Sequence, residues 1–401
     1  MALFRRLADF LGLRKSIVGM LAMVVLVGMG EHLGEQYLPV YLVALGGGFI
    51  SVGFLNFLDN LLGALYAFPG GYLSHRLGYK RALLVFNLFS MLGFLVVIVF
   101  PSWQAVLVGA VFFLSWSAIS LPATMSLVSQ VLPKNQRTMG VSVHSLVRRI
   151  PMALGPVIGG ALIEVWGVEK GVRLAFGGAL ILAVVAVVLQ EALIEDRRES
   201  PAGEGAVKNP LRVLAAAGPN LRRLLVADIL VRFCEQIPYA FVVLWAMGTP
   251  DQPGPVGALQ FSALRSVEMA TAVLIYIPVA YFADRTHKKP FVVATFVFFT
   301  LFPLVLLFSR SFELLLLAFV LRGLKEFGEP TRKALIMDLA PDGAKAQTFG
   351  AYYLVRDSIV SIAAFAGGPL WMLSPTANLL TAFAFGALGT LWFAARGRNL
   401  A

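Results

Sequence analysis

The feature that most limits what this chain can fold into is the recurrence of apolar runs long enough to cross a lipid bilayer, which takes roughly 17–25 residues. Twelve stand out, at about 16–44, 49–73, 82–100, 103–132, 138–166, 171–193, 221–247, 258–283, 290–308, 312–339, 346–373 and 376–395. Such runs are far longer than barrel strands, and lipid offers the backbone no hydrogen-bond partner, so each run must be helical. Composition agrees: with 58% hydrophobic and 14% charged residues, 401 residues have too little polar surface for a water-soluble body. The expected class is an all-α integral membrane protein of twelve spans.

A net charge of +11 is compatible with nucleic-acid binding, but the positions of the charges give it another meaning. An even number of spans puts both termini on one side. That side collects Arg5, Arg6, Arg14, Lys15, Arg76, Lys80, Arg81, Lys134, Arg137, Arg197, Arg198, Lys208, Arg212, Arg222, Arg223, Arg285, Lys288, Lys289, Lys345, Arg396 and Arg398, against only Lys170, Arg173 and Arg310 on the other. This is the positive-inside bias, and it predicts cytoplasmic N- and C-termini in an inner or plasma membrane. No nucleic-acid partner is expected. The single cysteine, Cys234, lies inside a span and allows neither an intramolecular disulfide nor a cysteine zinc site. The first apolar run is too long for a signal-peptide core and reads as span one. Charged and Gly/Pro/Ser-containing, residues 195–220 read as a cytoplasmic linker. The expected division is a bundle over 1–194, this central loop, and a second bundle over 221–401.

One unit recurs at an offset of 209 residues. Gly71-Tyr72-Leu73-Ser74-His75-Arg76-Leu77-Gly78-Tyr79-Lys80-Arg81 answers Ala280-Tyr281-Phe282-Ala283-Asp284-Arg285-Thr286-His287-Lys288-Lys289, and the same offset matches Asp59 with Glu268 and Pro69 with Pro278. A duplicated membrane unit is how carriers build two halves around a central site. Span five contains Gly155-Pro156-Val157-Ile158-Gly159-Gly160. Its glycines permit close helix approach, and Pro156 interrupts the helical ladder.

With its basic loop between spans two and three, its span-five glycines and its six-plus-six layout, the chain resembles the major facilitator superfamily over nearly its whole length. The resemblance implies two pseudo-symmetric six-helix bundles and a secondary transporter working by alternating access. It also implies gating roles for Gly71, His75, Arg76, Gly78, Lys80, Asp284 and Arg285, and, through similarity to the antiporter motif of drug/proton exporters, for Gly155, Pro156, Gly159 and Gly160. The chain departs from the family pattern at His75, where an acid is usual, at Ser142 and Pro151, and at Leu114, near the place of a frequent span-four arginine. Pro39, Pro122, Pro238 and Pro330 fall in spans one, four, seven and ten, which line the cavity in the resembled family.

Chemistry is expected where charge is costly, because an ionisable group at membrane depth costs about 2.5 kcal/mol or more. Span one holds Glu31, His32 and Glu35, with the acids one turn apart. Two neighbouring acids repel and His32 titrates near neutrality, so these residues, with Asp59 in span two, are the expected proton-coupling groups. Arg148, Arg232, Glu235, Arg265, Glu268, Arg322, Lys325, Glu326, Glu329 and Arg356 are the expected substrate-binding groups. Arginines grip carboxylate or phosphate through paired hydrogen bonds. The structural alternative is that Arg322, Lys325, Glu326 and Glu329 satisfy one another along span ten. Asp228, Arg332, Lys333 and Asp338, near span ends, are expected to snorkel or pair at the interface.

The combined reading is a secondary transporter moving a small anionic or zwitterionic organic solute by proton-coupled export. It is expected to work as a monomer surrounded by membrane lipid, without a cofactor. A divalent metal or metal chelate is the alternative substrate, supplied with ligands by Glu31, His32, Glu35, Asp59 and Glu235. A non-transporting receptor or scaffold is the alternative from another class. No nucleophile–base pattern, H-E-x-x-H or phosphate-binding loop points to an enzyme.

Overall fold

The computed structural model describes residues 15–114, 116–131, 144, 147–195, 218–249, 252–283, 288–339 and 345–397. The first apolar run folds as α1 (Lys15–Gly34), a 3-10 turn over Glu35–Tyr37, and α2 (Leu38–Ala44). Pro39 explains the break: it has no N–H for the carbonyl of Glu35, which accepts from Leu38 instead. The chain continues through α3 (Gly48–Leu77), α4 (Tyr79–Val99), α5 (Trp103–Phe113), α6 (Trp116–Val131), α7 (Arg149–Leu193) and α8 (Pro219–Tyr239). After these come α9 (Val242–Met247), α10 (Ala258–Ala283), α11 (Lys288–Phe308), α12 (Phe312–Leu324), α13 (Glu329–Leu339), α14 (Lys345–Leu373) and α15 (Pro375–Arg396). A minimal antiparallel ladder pairs β1 (Gly248–Thr249) with β2 (Gln252–Pro253).

Nine helical segments among the described residues are long and apolar enough to cross a membrane. They account for ten of the twelve expected spans, because α7 contains two. At Gly167 φ is +76°, a conformation that glycine adopts without a side-chain penalty. There the chain folds back, and a Cβ on Gly171 would lie 2.6 Å from the Cα of Ile163. Span ten falls short because it is broken into α12 and α13 and is rich in charge. Span eleven, α14, carries Arg356, Asp357, Ser358 and Ser361 through its middle. The expected loop between spans two and three shrinks to one residue: α3 runs to Leu77, Gly78 takes φ +79°, and α4 starts at Tyr79.

Contacts group the chain into two compact units, Met1–Leu45 with Leu65–Gly205, and Gly46–Ala64 with Ala206–Ala401. In the first, Met20, Met23, Val24 and Val27 of α1 pack with Phe86, Ala123 and Leu127. A buried polar cluster fastens its helices together. Trp116 Nε1 donates to Asn87 Oδ1 (3.0 Å), Asn87 Nδ2 to Gln190 Oε1 (2.8 Å) and Gln190 Nε2 to the Lys80 carbonyl (2.9 Å). In the second, Leu224 and Val231 of α8 meet Phe296, Ile336, Tyr352 and Phe393. The distribution of polarity is the reverse of a water-soluble protein's. Leu274 and Leu373 are 74% and 77% exposed, whereas Arg332 and Asp228 are 0% and 1% exposed. Apolar side chains on the outside and ion pairs within are what a lipid solvent requires.

Candidate functional site

In the second unit, α8, α10, α13, α14 and the break between α12 and α13 bring most of the predicted substrate-binding residues into one ionic network. The break has a local cause. Pro330 has no N–H for the carbonyl of Glu326, which accepts from Glu329 (3.3 Å). The turn is also pinned from α11: Gly328 N–H donates to Thr295 Oγ1, and a Cβ on Gly328 would lie 2.4 Å from the Phe291 carbonyl oxygen. A larger residue has no room there.

One half of the network centres on Glu235 and Glu268. Glu235 accepts from Arg232 Nη1 (2.6 Å) and Lys325 Nζ (2.8 Å). Glu268 pairs with Arg265, with Arg322 Nε at 3.5 Å and with Lys325 Nζ at 3.6 Å, so Lys325 links the two acids. The Arg322 guanidinium also lies 5.3 and 5.2 Å from the centres of the Tyr239 and Phe302 rings. The other half centres on Asp228 and Glu329. Asp228 meets Arg332, Tyr352 Oη (3.0 Å) and Arg356 Nη1 (3.3 Å). Glu329 accepts two bonds from Arg332, at 3.0 and 2.6 Å, and one from Arg232 Nη2 at 3.3 Å. Arg232 thereby joins the halves. Arg356 also bonds Asp357 (2.7 Å) and lies 4.2 Å from the Tyr353 ring centre.

These contacts change several expectations. Asp228 and Arg332 do not snorkel; they form a buried pair, because each helix presents its charge to another helix rather than to the interface. Lys333 and Asp338 do reach the surface, Lys333 within 3.6 Å of Glu329 and Asp338 paired with Lys288. Span ten is not self-satisfied, since Arg322 and Lys325 find their acids on α8 and α10. Glu326 stands apart: it is half-buried and makes no side-chain hydrogen bond or ion pair to any described residue.

In the first unit, His32 Nδ1 and Glu35 Oε2 are 2.9 Å apart, and Glu31 is buried on the same helix. The span-five motif packs directly against them. A Cβ on Gly155 would lie 2.7 Å from His32 Cβ, one on Gly159 would lie 1.9 Å from the Leu33 carbonyl oxygen, and the Pro156 carbonyl accepts from Tyr37 Oη (2.9 Å). Gly160 is buried beside them. The glycines therefore seat span one against span five. Arg148 precedes α7, half-buried, with no side-chain hydrogen bond or ion pair to a described residue. Asp59 groups with the second unit, not with the span-one acids.

Of the gating residues, Lys80 Nζ donates to the Glu191 carbonyl (3.0 Å) and pairs with its carboxylate (3.2 Å), while Arg76 is exposed. Gly71 and His75 lie within α3. Asp284, Arg285 and the central-loop residues 196–217 lie outside the described residues. Among the described residues, no group of three or more His, Cys, Asp or Glu side chains is arranged to hold a metal ion.

The sequence reading missed the amides. Asn56 Nδ2 donates to the Gln236 carbonyl (2.8 Å), Asn60 Nδ2 meets Gln236 Oε1 (3.2 Å), and Asn378 Nδ2 reaches the carbonyls of Ile237 (3.3 Å) and Gly367 (2.9 Å). Asn56 and Asn378 thereby satisfy two carbonyls at the end of α8, beside Pro238. The available signal was two asparagines one turn apart in an apolar run.

The sequence profile of the Major Facilitator Superfamily matches residues 17–363. An uncharacterized MFS-type transporter of Methanocaldococcus jannaschii is 22% identical over 368 residues, 88% of this chain and 87% of that protein. A solved nucleoside transporter shares the fold at TM-score 0.77 and 14% identity, covering 96% of this chain and 99% of that one. A peptide transporter in complex with sulfate gives 0.75 and 14%, covering 96% and 95%. A human organic anion transporter gives 0.61 and 15%, covering 94% and 98%. The profile match extends from span one into span eleven of a chain built from membrane-spanning helices, and this protein therefore belongs to the Major Facilitator Superfamily of multi-pass membrane transporters.

Proposed function

We propose that the protein moves a small anionic or zwitterionic organic solute across an inner or plasma membrane, with both termini cytoplasmic, by proton-coupled export. The observation that carries the substrate class is the difference between paired and unpaired charge. Arg232, Glu235, Arg265, Glu268, Arg322, Lys325, Glu329 and Arg356 are compensated within the second unit. Arg148 in the first unit and Glu326 in the second have no ion-pair partner among the described residues. An uncompensated charge at membrane depth is costly, and a solute of opposite charge removes that cost. An acidic group on a cargo suits Arg148, and a cationic group suits Glu326. The solved transporters named for a nucleoside, a peptide and organic anions fit a small organic cargo.

Coupling is assigned to Glu35, the acid that His32 holds at the span-one break. In this reading Arg356 is a structural ion pair and not a second anion grip. Gating is assigned to the repeated loop motif, with the larger part given to Asp284, because His75 has no carboxylate to offer a helix N-terminus.

Counterflow in proteoliposomes with radiolabelled organic anions, zwitterions and cations identifies the cargo. With that cargo, Glu35→Gln should abolish pH-driven accumulation while leaving exchange at equal pH intact. Arg148→Ala should weaken binding of the anionic group at least tenfold, and Arg148→Lys should recover part of it. Undiminished uphill transport by Glu35→Gln refutes the coupling assignment, and unchanged affinity in Arg148→Ala refutes the anion grip.

A further inference from the structure

The second unit carries a basic surface cluster that the transport reading does not use. Arg223, in the second turn of α8, and Arg396, at the end of α15, both lie at the end of the bundle marked basic by the charge bias, and both are exposed. Between them stands Trp392. Its indole Nε1 donates to the Arg223 carbonyl (3.3 Å), and the Arg396 guanidinium stacks 5.0 Å from its ring centre. The Arg223 side chain bonds only the neutral Asn220 Oδ1 (3.4 Å), and neither arginine has an acid partner among the described residues.

The same helix faces become apolar one turn deeper. Arg396, Trp392 and Leu388 follow at four-residue spacing on α15, and Val226 lies three residues after Arg223 on α8. Leu388 is 58% exposed and Val226 43%, as lipid-facing side chains are. The order from water to lipid is thus two exposed guanidiniums without an acid partner among the described residues, an indole fixed at the interface, and an open aliphatic strip. We propose that this patch binds one anionic phospholipid, its phosphate-bearing headgroup on Arg223 and Arg396 and its acyl chain along Leu388 and Val226. Arginine suits phosphate because its planar fork donates two parallel hydrogen bonds. Tryptophan suits the headgroup level, with an apolar face and one donor. Basic pockets between spans are a recognised setting for anionic headgroups. A soluble phosphorylated solute would use the arginines but gain nothing from the aliphatic strip.

The test is native mass spectrometry of the detergent-purified full chain titrated with phosphatidylglycerol or phosphatidylethanolamine. The wild type should retain one phosphatidylglycerol in preference to phosphatidylethanolamine. Arg223→Gln and Arg396→Gln should each weaken that retention about fivefold, the effect of one basic residue at a membrane surface. Trp392→Phe, which keeps both charges and loses the anchoring hydrogen bond, should fall between. Arg310→Gln removes a charge from the opposite end of the bundle and should change nothing. If Arg223→Gln does not fold, Arg396→Gln and Trp392→Phe carry the test, since the Arg396 side chain makes no hydrogen bond to a described residue. Equal retention of both lipids, or retention unchanged in the arginine variants, overturns the proposal. Displacement of the lipid by millimolar inorganic phosphate overturns it in favour of a free-anion site.

Discussion

Arg332 provides the sharpest quantitative test of the buried network. It is 0% exposed and serves two acids at once, bonding Asp228 and gripping both oxygens of Glu329. Arg332→Met keeps a long apolar stem, so little packing is lost, but two buried carboxylates lose their principal cation. Removing one partner of a buried ion pair costs about 3–5 kcal/mol. Asp228 keeps Tyr352 at 3.0 Å and Arg356 at 3.3 Å, and Glu329 keeps Arg232 at 3.3 Å, so the lower end, ~3 kcal/mol, is expected. Reversible unfolding in mixed micelles, followed by tryptophan fluorescence, measures the difference. In Asp228→Asn/Arg332→Met the loss should be smaller than the sum of the single losses, with a coupling of about 1–3 kcal/mol as for other contacting pairs. A single-variant loss under ~1 kcal/mol, the level of a solvent-exposed pair, refutes the reasoning, because it means that water reaches these charges.

Three further outcomes follow from particular contacts. Gly159→Ala should destabilise the first unit by about 1–3 kcal/mol and reduce transport, because the new methyl lies 1.9 Å from the Leu33 carbonyl oxygen; Gly178→Ala, with its nearest atom at 3.9 Å, should be silent in the same assay. Lys288→Gln should change stability by less than ~1 kcal/mol, since its partner Asp338 is exposed, and an effect as large as that of Arg332→Met would mean that the pair is not at the surface. Glu326→Gln should lower affinity for a cationic or zwitterionic cargo while sparing a purely anionic one, as read by competition in counterflow; equal loss for both charge classes counts against a role in charge recognition.

The spans were legible because a lipid-facing helix must be apolar over a fixed length, and ten of the twelve satisfy that rule in the structure. The two that fail it are those whose charged or polar residues turn inward, and inward-facing charge lowers apolarity without preventing a helix from spanning. The breaks at Pro39 and Pro330 were legible for a similar reason, since a missing N–H is a property of one residue. Partner choice was not. Asp228 and Arg332 are 104 residues apart, and their pairing depends on which faces of α8 and α13 meet. An acid near a span end reads equally well as snorkelling or as buried until its neighbour is known. The span-five glycines illustrate the same limit: close approach was expected, but nothing in their spacing identified His32 and Leu33 as the groups approached.

The two acids at the broken helices occupy equivalent local settings. Glu35 lies four residues before Pro39 and Glu326 four residues before Pro330, so each carries the carbonyl that the proline cannot serve. Each also follows closely on the C-terminus of a helical segment, α1 ending at Gly34 and α12 at Leu324. A helix C-terminus carries partial negative charge, and a carboxylate beside it makes a spot that attracts positive charge. In span one the acid has a local hydrogen-bond partner, His32 Nδ1 at 2.9 Å. In span ten the adjacent Lys325 pairs instead with Glu235 and Glu268, and Glu326 makes no ion pair to a described residue. One break therefore has a hydrogen-bond partner for its acid on the same helix, while the acid of the other has no side-chain hydrogen bond or ion pair to a described residue. This difference separates the coupling role assigned to Glu35 from the recognition role assigned to Glu326.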